Sequence, residues 1–192
     1  MSGISLKAFI PVIAKMVDMT PAALYERQRA LVRAGLLHSE GGRGPGSGVR
    51  ATPESMAMLL ISLLATGSLS DTETQTKIVA SLKSKTKHCP LTGKKTFASA
   101  LTAVLASEDT AKRARSLELE RGGSKSGASL FYYPRGVERV VSVAIDVLSE
   151  GDHPVASEFG FVGGDRKSAL SVQATLTLPL HAIAHTLKEI NK

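Results

Sequence analysis

The sequence predicts an α+β protein in two parts: a helical N-terminal third over residues 1–67 and a mixed helix and β-hairpin module over residues 68–192. Three observations lead there. Through the first 66 positions apolar residues recur at helical spacing, punctuated by the Pro and Gly residues that start and stop short helices. A stretch with five glycines and a proline, Gly41 to Gly48, separates the second of these helices from the third. After Ala114 the period changes, and Leu117 and Leu119 alternate with Glu118 and Glu120 as in a half-buried strand.

The first segment takes its start from Ile10-Pro11, because proline suits the first helical position and pushes the residue before it out of the α region. This places a helix over about Pro11–Val17, with Ser5–Phe9 either a preceding helical turn or an extended arm. Asp18-Met19 makes a turn. Thr20 then serves as N-cap and Pro21 as first residue of a second helix, which runs to about Ala34 and stops at Gly35. At 100° per residue, Ala23, Leu24, Ala30, Leu31 and Ala34 share one face with Arg27 at its edge; Tyr25, Glu26, Arg29 and Arg33 fall on the other. Leu36-Leu37 reads as a short strand leading into the glycine-rich loop, in which Arg43 and Arg50 carry charge. Thr52, Pro53 and Glu54 start a third helix to Ala65 that is apolar nearly all round, and hence buried, with a second chain as one possible cover.

Composition narrows the function classes. Aromatics are 4% of 192 residues and Trp is absent, so the core is aliphatic. The single cysteine, Cys89, excludes a disulfide framework and a multi-cysteine zinc site. The start MSGISLKAF lacks a charged head followed by an apolar run, so no signal peptide is expected. The apolar run from Met56 to Ala65, broken by Ser62, is about half what a bilayer requires; a cytoplasmic protein without a membrane partner is expected. The net charge of +7 is unevenly spread. Residues 1–50 carry +4 and residues 84–126 carry +5, while the other two segments carry −1 each. Two basic blocks between near-neutral ones suit a polyanionic partner.

The order of second helix, Leu36-Leu37, Gly/Arg loop and Thr52-Pro53 restart carries a resemblance. The run TPAALYERQRALVRAGLL, the Gly/Arg wing and VRATPE resemble winged helix-turn-helix regulators, including the MerR-type DNA-binding domain. The chain also looks like short regulators from prophage or gene-transfer-agent regions of alphaproteobacteria. The resemblance covers about residues 5–66. It implies a second helix in the major groove, a contacting wing and dimeric binding. Of the aromatic and arginine residues that the MerR-type pattern expects early in that helix, Tyr25, Arg27 and Arg29 answer. The expected partners are double-stranded DNA and a second copy of the chain. The expected contacts are Thr20, Tyr25, Arg27, Arg29 and Arg33 on the helix and Arg43 and Arg50 in the wing. Lys85, Lys87, Lys94 and Lys95 of the basic loop SKTKHCPLTGKK would extend the contact along the backbone.

In the rest of the chain, Ser70-x-x-Glu73 has the form of a capping box before a helix over Asp71–Lys83, with Ile78, Val79 and Leu82 inward. Thr96–Ser107 is the next helix, and Glu108-Asp109 starts a loop. A hairpin follows, joining Leu117–Arg121 to Ser129–Tyr133. Val137–Leu148 fits a strand or a helix, its length favouring the helix. A second hairpin is expected from Phe159–Phe161 and Ser168–Thr177 about a turn at Gly163–Arg166, and Leu180–Ile190 closes the chain as a helix.

Catalytic signatures fail on inspection. Gly93-Lys94-Lys95-Thr96 lacks the glycine that a phosphate-binding loop needs five residues earlier, where His88 stands. His181 and His185 are one turn apart but have no glutamate between them and no third ligand nearby, so they read as edge-of-core histidines. His88-Cys89 are adjacent and point apart. No enzyme activity, cofactor or metal is therefore expected. The alternative to a regulator is a protein-interaction adaptor acting on RNA polymerase or another host complex.

Overall fold

The computed structural model describes residues 3–39, 48–122, 125–134, 155–160, 172–176 and 180–191. Along them run α1 (Leu6–Met16), α2 (Pro21–Arg33), α3 (Pro53–Ala65), α4 (Thr72–Ser81), α5 (Phe97–Leu105), α6 (Glu108–Arg113), β1 (Ala114–Gly122), β2 (Lys125–Tyr132), β3 (Val155–Gly160), β4 (Val172–Leu176) and α7 (Leu180–Ile190). The class is mixed α+β.

Helix α3 is where the others meet. Its start is a reciprocal cap: Ser55 N–H donates to Thr52 Oγ1 at 3.2 Å, and Thr52 N–H donates to Ser55 Oγ at 3.0 Å. It has almost no polar face, and Met56, Ala57, Leu59, Leu60, Ile61, Leu64 and Ala65 are all buried. A helix apolar on every side needs cover on every side. Its own chain supplies cover through α2, α4, α5, β1 and β4. One continuous set of buried side chains therefore runs from Leu6 in α1 to Leu187 in α7. Residue 67, where the boundary is expected, lies in the turn after α3, whose buried side chains belong to this same set.

Helix α1 is longer than proline placement suggests. Ser5 is its N-cap, accepting from Ala8 N–H at 3.2 Å, and Pro11 lies inside the helix. Proline has no N–H for the carbonyl of Lys7, but Lys7 and Pro11 are both on the exposed side, where water can serve that carbonyl. Burial of Leu6, Phe9 and Ile10 on the opposite side outweighs the lost bond. The helix ends with Asp18 at φ 51 and Met19 N–H bonded to Ala14 O at 3.0 Å.

Helix α2 ends in the same way. Gly35 has φ 69, its N–H reaches Val32 O at 3.0 Å, and Leu36 N–H reaches Leu31 O at 2.9 Å. This is the left-handed helix stop in which the two residues after the glycine fold back on the last turn. Leu36-Leu37, expected as a strand, is that fold-back, with Leu37 buried. No atom lies within 4 Å of where a Cβ on Gly35 would sit, so only the backbone resists substitution. Gly35→Ala is expected to cost about 1 kcal/mol, read as a lower urea midpoint at unchanged slope.

The chain returns beside its own start. Leu6 N–H donates to Val49 O at 2.6 Å, Ala51 N–H donates to Ile4 O at 3.0 Å, and Ser5 and Arg50 form an antiparallel bridge.

Helix α4 starts without a side-chain cap. The serine and glutamate expected as a capping box are used otherwise: Ser70 Oγ lies 2.7 Å from Ser68 Oγ, and Glu73 pairs with Lys77 at 2.6 Å. Thr72, Thr76 and Val79 form the buried stripe, so Ile78, expected inward, is 38% exposed. The expected Thr96–Ser107 helix is α5, and Thr96 caps it. Glu108-Asp109 begins α6 rather than a loop, because Ser107 accepts from Thr110 N–H at 3.3 Å.

The first hairpin forms as expected, with Leu117 opposite Leu130 and Leu119 opposite Ala128. The second does not. β3 pairs with β2 and β4 pairs with β1, giving the order β3-β2-β1-β4, so β3 and β4 lie on opposite edges. Three successive strands and a fourth returned beside the first make a Greek-key order. β4 falls within the expected Ser168–Thr177, whereas β3 runs over Val155–Gly160 and shares only residues 159–160 with the expected strand. The turn assigned to Gly163–Arg166, the segment Val137–Leu148 and the hairpin tip at 123–124 lie outside the described residues. Leu117, Leu119, Leu130, Ser157 and Phe159 are buried, and Phe97 meets Phe159 edge-on with ring centroids 5.3 Å apart.

Helix α7 is tied to α6 by Glu108. Its Oε1 lies 2.6 Å from His185 Nδ1 and its Oε2 accepts from Lys188 Nζ at 3.1 Å. The bonds to His185 and then Lys188 hold the Glu108 carboxyl below its ordinary pKa. A carboxyl whose folded pKa is depressed stabilises the fold above the unfolded value, near 4.3, and that contribution is lost as pH falls through the folded value. Glu108→Gln is therefore expected to lower stability at neutral pH and to flatten its decline below about pH 4.3. Thermal melts of both proteins across the acid range check this.

Candidate nucleic-acid interface

Helix α2 is anchored by one face and open on the other. Leu24, Arg27, Gln28, Ala30 and Leu31 are buried, while Ala22, Arg29 and Arg33 are exposed. The three exposed positions and Glu26 fall within one stripe at helical spacing. Thr20 starts the helix, its Oγ1 accepting from Ala23 N–H at 3.2 Å. This uses a lone pair and leaves the hydroxyl proton for another acceptor. Tyr25 sits half-buried at the edge of the stripe, with Lys7 Nζ of α1 5.1 Å from its ring centroid. That second helix brings a cation that helical spacing within α2 alone did not reveal. Arg29 Nη1 donates to Glu26 Oε1 at 3.0 Å, with both side chains about half exposed, so this pair is worth little in water and can exchange for another anion. Arg33 has no carboxylate within ion-pair distance among the described residues, and it stands at the C-terminal end of the helix, where the dipole favours a cation.

Arg27 corrects the expectation most sharply. Expected at the edge of the apolar face and among the DNA contacts, it is 5% exposed and turns inward. Its Nη1 donates to Ser62 O at 2.7 Å and to Thr66 O at 3.0 Å. These carbonyls lie at the C-terminal end of α3, where an α-helix has no further N–H of its own to offer. The guanidinium thus closes α3 from outside, and burial pushes its pKa down from the ordinary value. Helical spacing places Arg27 at an edge of the apolar face; only the position of the end of α3 decides that this edge is buried.

The wing residues divide. Arg43 lies outside the described residues. Arg50 is half-buried at the base of the loop, and its Nη1 donates to the carbonyl of Gly3, which ties it to the N-terminal segment.

The lysines of the expected basic loop lie on a two-armed ribbon. Ser84 N–H donates to Lys95 O at 2.8 Å, Phe97 N–H donates to Leu82 O at 2.9 Å, and Lys83 bridges Thr96. Ser84 also bridges Phe159, and Lys85 N–H donates to Glu158 O at 2.9 Å, so one arm lines the outer edge of β3. Lys85 Nζ pairs with Glu158 Oε2 at 2.6 Å, while Lys87, Lys94 and Lys95 are exposed.

No group of three or more His, Cys, Asp or Glu residues placed to hold a metal occurs among the described residues. His185 is engaged with Glu108, and Cys89 is 1% exposed, with Ser157 Oγ donating to its Sγ at 3.1 Å. No helix among the described residues is long and apolar enough to cross a membrane. Comparison of the chain with protein-family models, with curated proteins and with solved structures finds no match in any of the three.

Proposed function

We propose that the chain is a sequence-specific DNA-binding transcriptional regulator in which α2 enters the major groove. The observation that carries this reading is the division of α2 itself. Five buried positions fix the helix on α1, α3 and α4, and the opposite stripe presents Arg29 and Arg33 one turn apart. Arginines so held can donate paired hydrogen bonds to a guanine edge or to a phosphate. Two further features support it. The helices α1 and α2 are joined by four residues with a left-handed Asp18, the short turn of a helix-turn-helix. The segment after the glycine-rich loop returns through Val49–Ala51 to pair with residues 4–5, an arrangement that suits a winged helix. A second copy of the chain completes the reading, since two half-sites give operator symmetry.

The Glu26–Arg29 pair favours a second reading, a protein-interaction adaptor in which Arg29 is already satisfied within the helix. Salt separates the two. A regulator that releases counterions from several phosphates loses affinity steeply between about 50 and 200 mM salt. Selection from a random duplex library should enrich a single, symmetric motif. A folded chain with no duplex affinity at low salt and no enriched motif would overturn the regulator and favour the adaptor.

A further inference from the structure

We propose that the ribbon over residues 83–96 is a second phosphate-binding surface, gripping the nucleic-acid backbone without reading its sequence. This rests on the DNA-binding reading of α2, but on different residues. The ribbon is built, not slack. Its turn closes through Cys89 N–H to Lys94 O and Gly93 N–H to Cys89 O, both 2.7 Å, with Gly93 at φ 70. Cys89 is buried in the core and holds the turn down, and the cross-bridges at Lys83–Thr96 and Ser84–Phe159 hold the arms.

On this rigid support the charges are of one sign. The Lys83–Thr96 bridge and the bond from Ser84 N–H to Lys95 O bring the two arms side by side, so Lys83 and Lys85 on one arm run next to Lys94 and Lys95 on the other. Cross-strand like charges destabilise a ribbon. Among the described residues only Lys85 is relieved by a carboxylate, that of Glu158; Lys87, Lys94 and Lys95 have none within ion-pair distance. A phosphodiester backbone, with regularly spaced monovalent anions, supplies the missing charge. Of the +5 over residues 84–126, +4 comes from Lys85, Lys87, Lys94 and Lys95, with no acidic residue over 84–96, so the excess is concentrated at this segment. The competing account is that lysines on a sheet edge merely discourage edge-to-edge aggregation.

The test uses the full chain with three substitutions, Lys87→Gln, Lys94→Gln and Lys95→Gln, and a fluorescently labelled mixed-sequence 30-bp duplex in anisotropy titrations over a salt series. The expected result is an affinity loss of about 10-fold or more at 0.1 M salt and a salt slope shallower by roughly 2 to 3, with any enriched motif unchanged. Unchanged affinity and slope overturn the proposal, and if the variant also aggregates the lysines guard the edge. Stronger binding of the unsubstituted chain to vesicles of anionic phospholipid than to the duplex overturns it as well. If the lysine variant loses duplex binding while Arg29→Ala with Arg33→Ala does not, the ribbon stands and the α2 reading falls; the reverse leaves α2 and removes the ribbon.

Discussion

Arg27→Ala is expected to lower the stability of the fold by about 3 kcal/mol, which for a chain of this length is a fall in Tm of roughly 6–12 °C. The substitution removes two charge-assisted hydrogen bonds and leaves the carbonyls of Ser62 and Thr66 without that donor at the end of a buried helix. Each bond of this kind is worth about 1.5–3 kcal/mol. Against that stands the desolvation of the guanidinium, whose Nε has no partner although it is buried, so the net falls below the sum. Arg27→Met, which fills similar volume without charge, escapes the desolvation cost and should lose less, about 1–2 kcal/mol. Lysine cannot reproduce the planar fork and should fall between the two. Urea denaturation of the three variants measures the order. Equal stability of Arg27→Ala and the parent would show that α2 is not tied to α3 through this side chain. The same variants separate structure from recognition, because Arg27→Met should keep its duplex affinity and salt slope wherever it remains folded.

Arg29→Ala with Arg33→Ala is expected to do the opposite: leave the fold intact and remove recognition. Both side chains are exposed, and the Glu26 pair that Arg29 would lose is a surface pair worth under about 1 kcal/mol. Each arginine contact to a base edge carries about 1–3 kcal/mol of discrimination, so the double variant should lose roughly 100-fold or more in affinity for a selected site and most of its preference over mixed sequence. Anisotropy with selected and mixed duplexes, alongside a thermal melt, gives both readouts. Retained preference would place sequence reading elsewhere on the chain. Glu26→Gln provides an internal check: freeing Arg29 should strengthen duplex binding if this stripe meets an anion, and should change nothing if it does not.

The candidate surface and the fold differ in how far they could be read in advance. Local chemistry carried the boundaries of α2: Thr20 can accept from N3, Pro21 suits N1, and Gly35 can take positive φ, whatever the rest of the chain does. The same holds for the cap of α3 at Thr52 and for the first hairpin, whose two strands are neighbours in sequence. It failed where a local preference was outweighed by burial or by a competing polar partner. Pro11 should begin a helix, but the hydrophobic residues before it gain more by extending α1 than the missing hydrogen bond costs. Ser70 and Glu73 have the spacing of a cap, but Ser70 finds Ser68 and Glu73 finds Lys77.

By itself, then, the sequence determined the starts of α2, α3 and α5, the stop of α2, the arginine stripe of α2 and the two basic blocks. These depend on residue type and spacing over fewer than about four turns. Only the tertiary structure decided which partners lie across the chain: β3 and β4 at opposite edges of one sheet, α3 shared by both halves, Arg27 turned onto the end of α3, and the lysine ribbon fixed along β3. Periodicity specifies which face of an element is apolar, whereas the element that covers that face is chosen by packing the whole core at once.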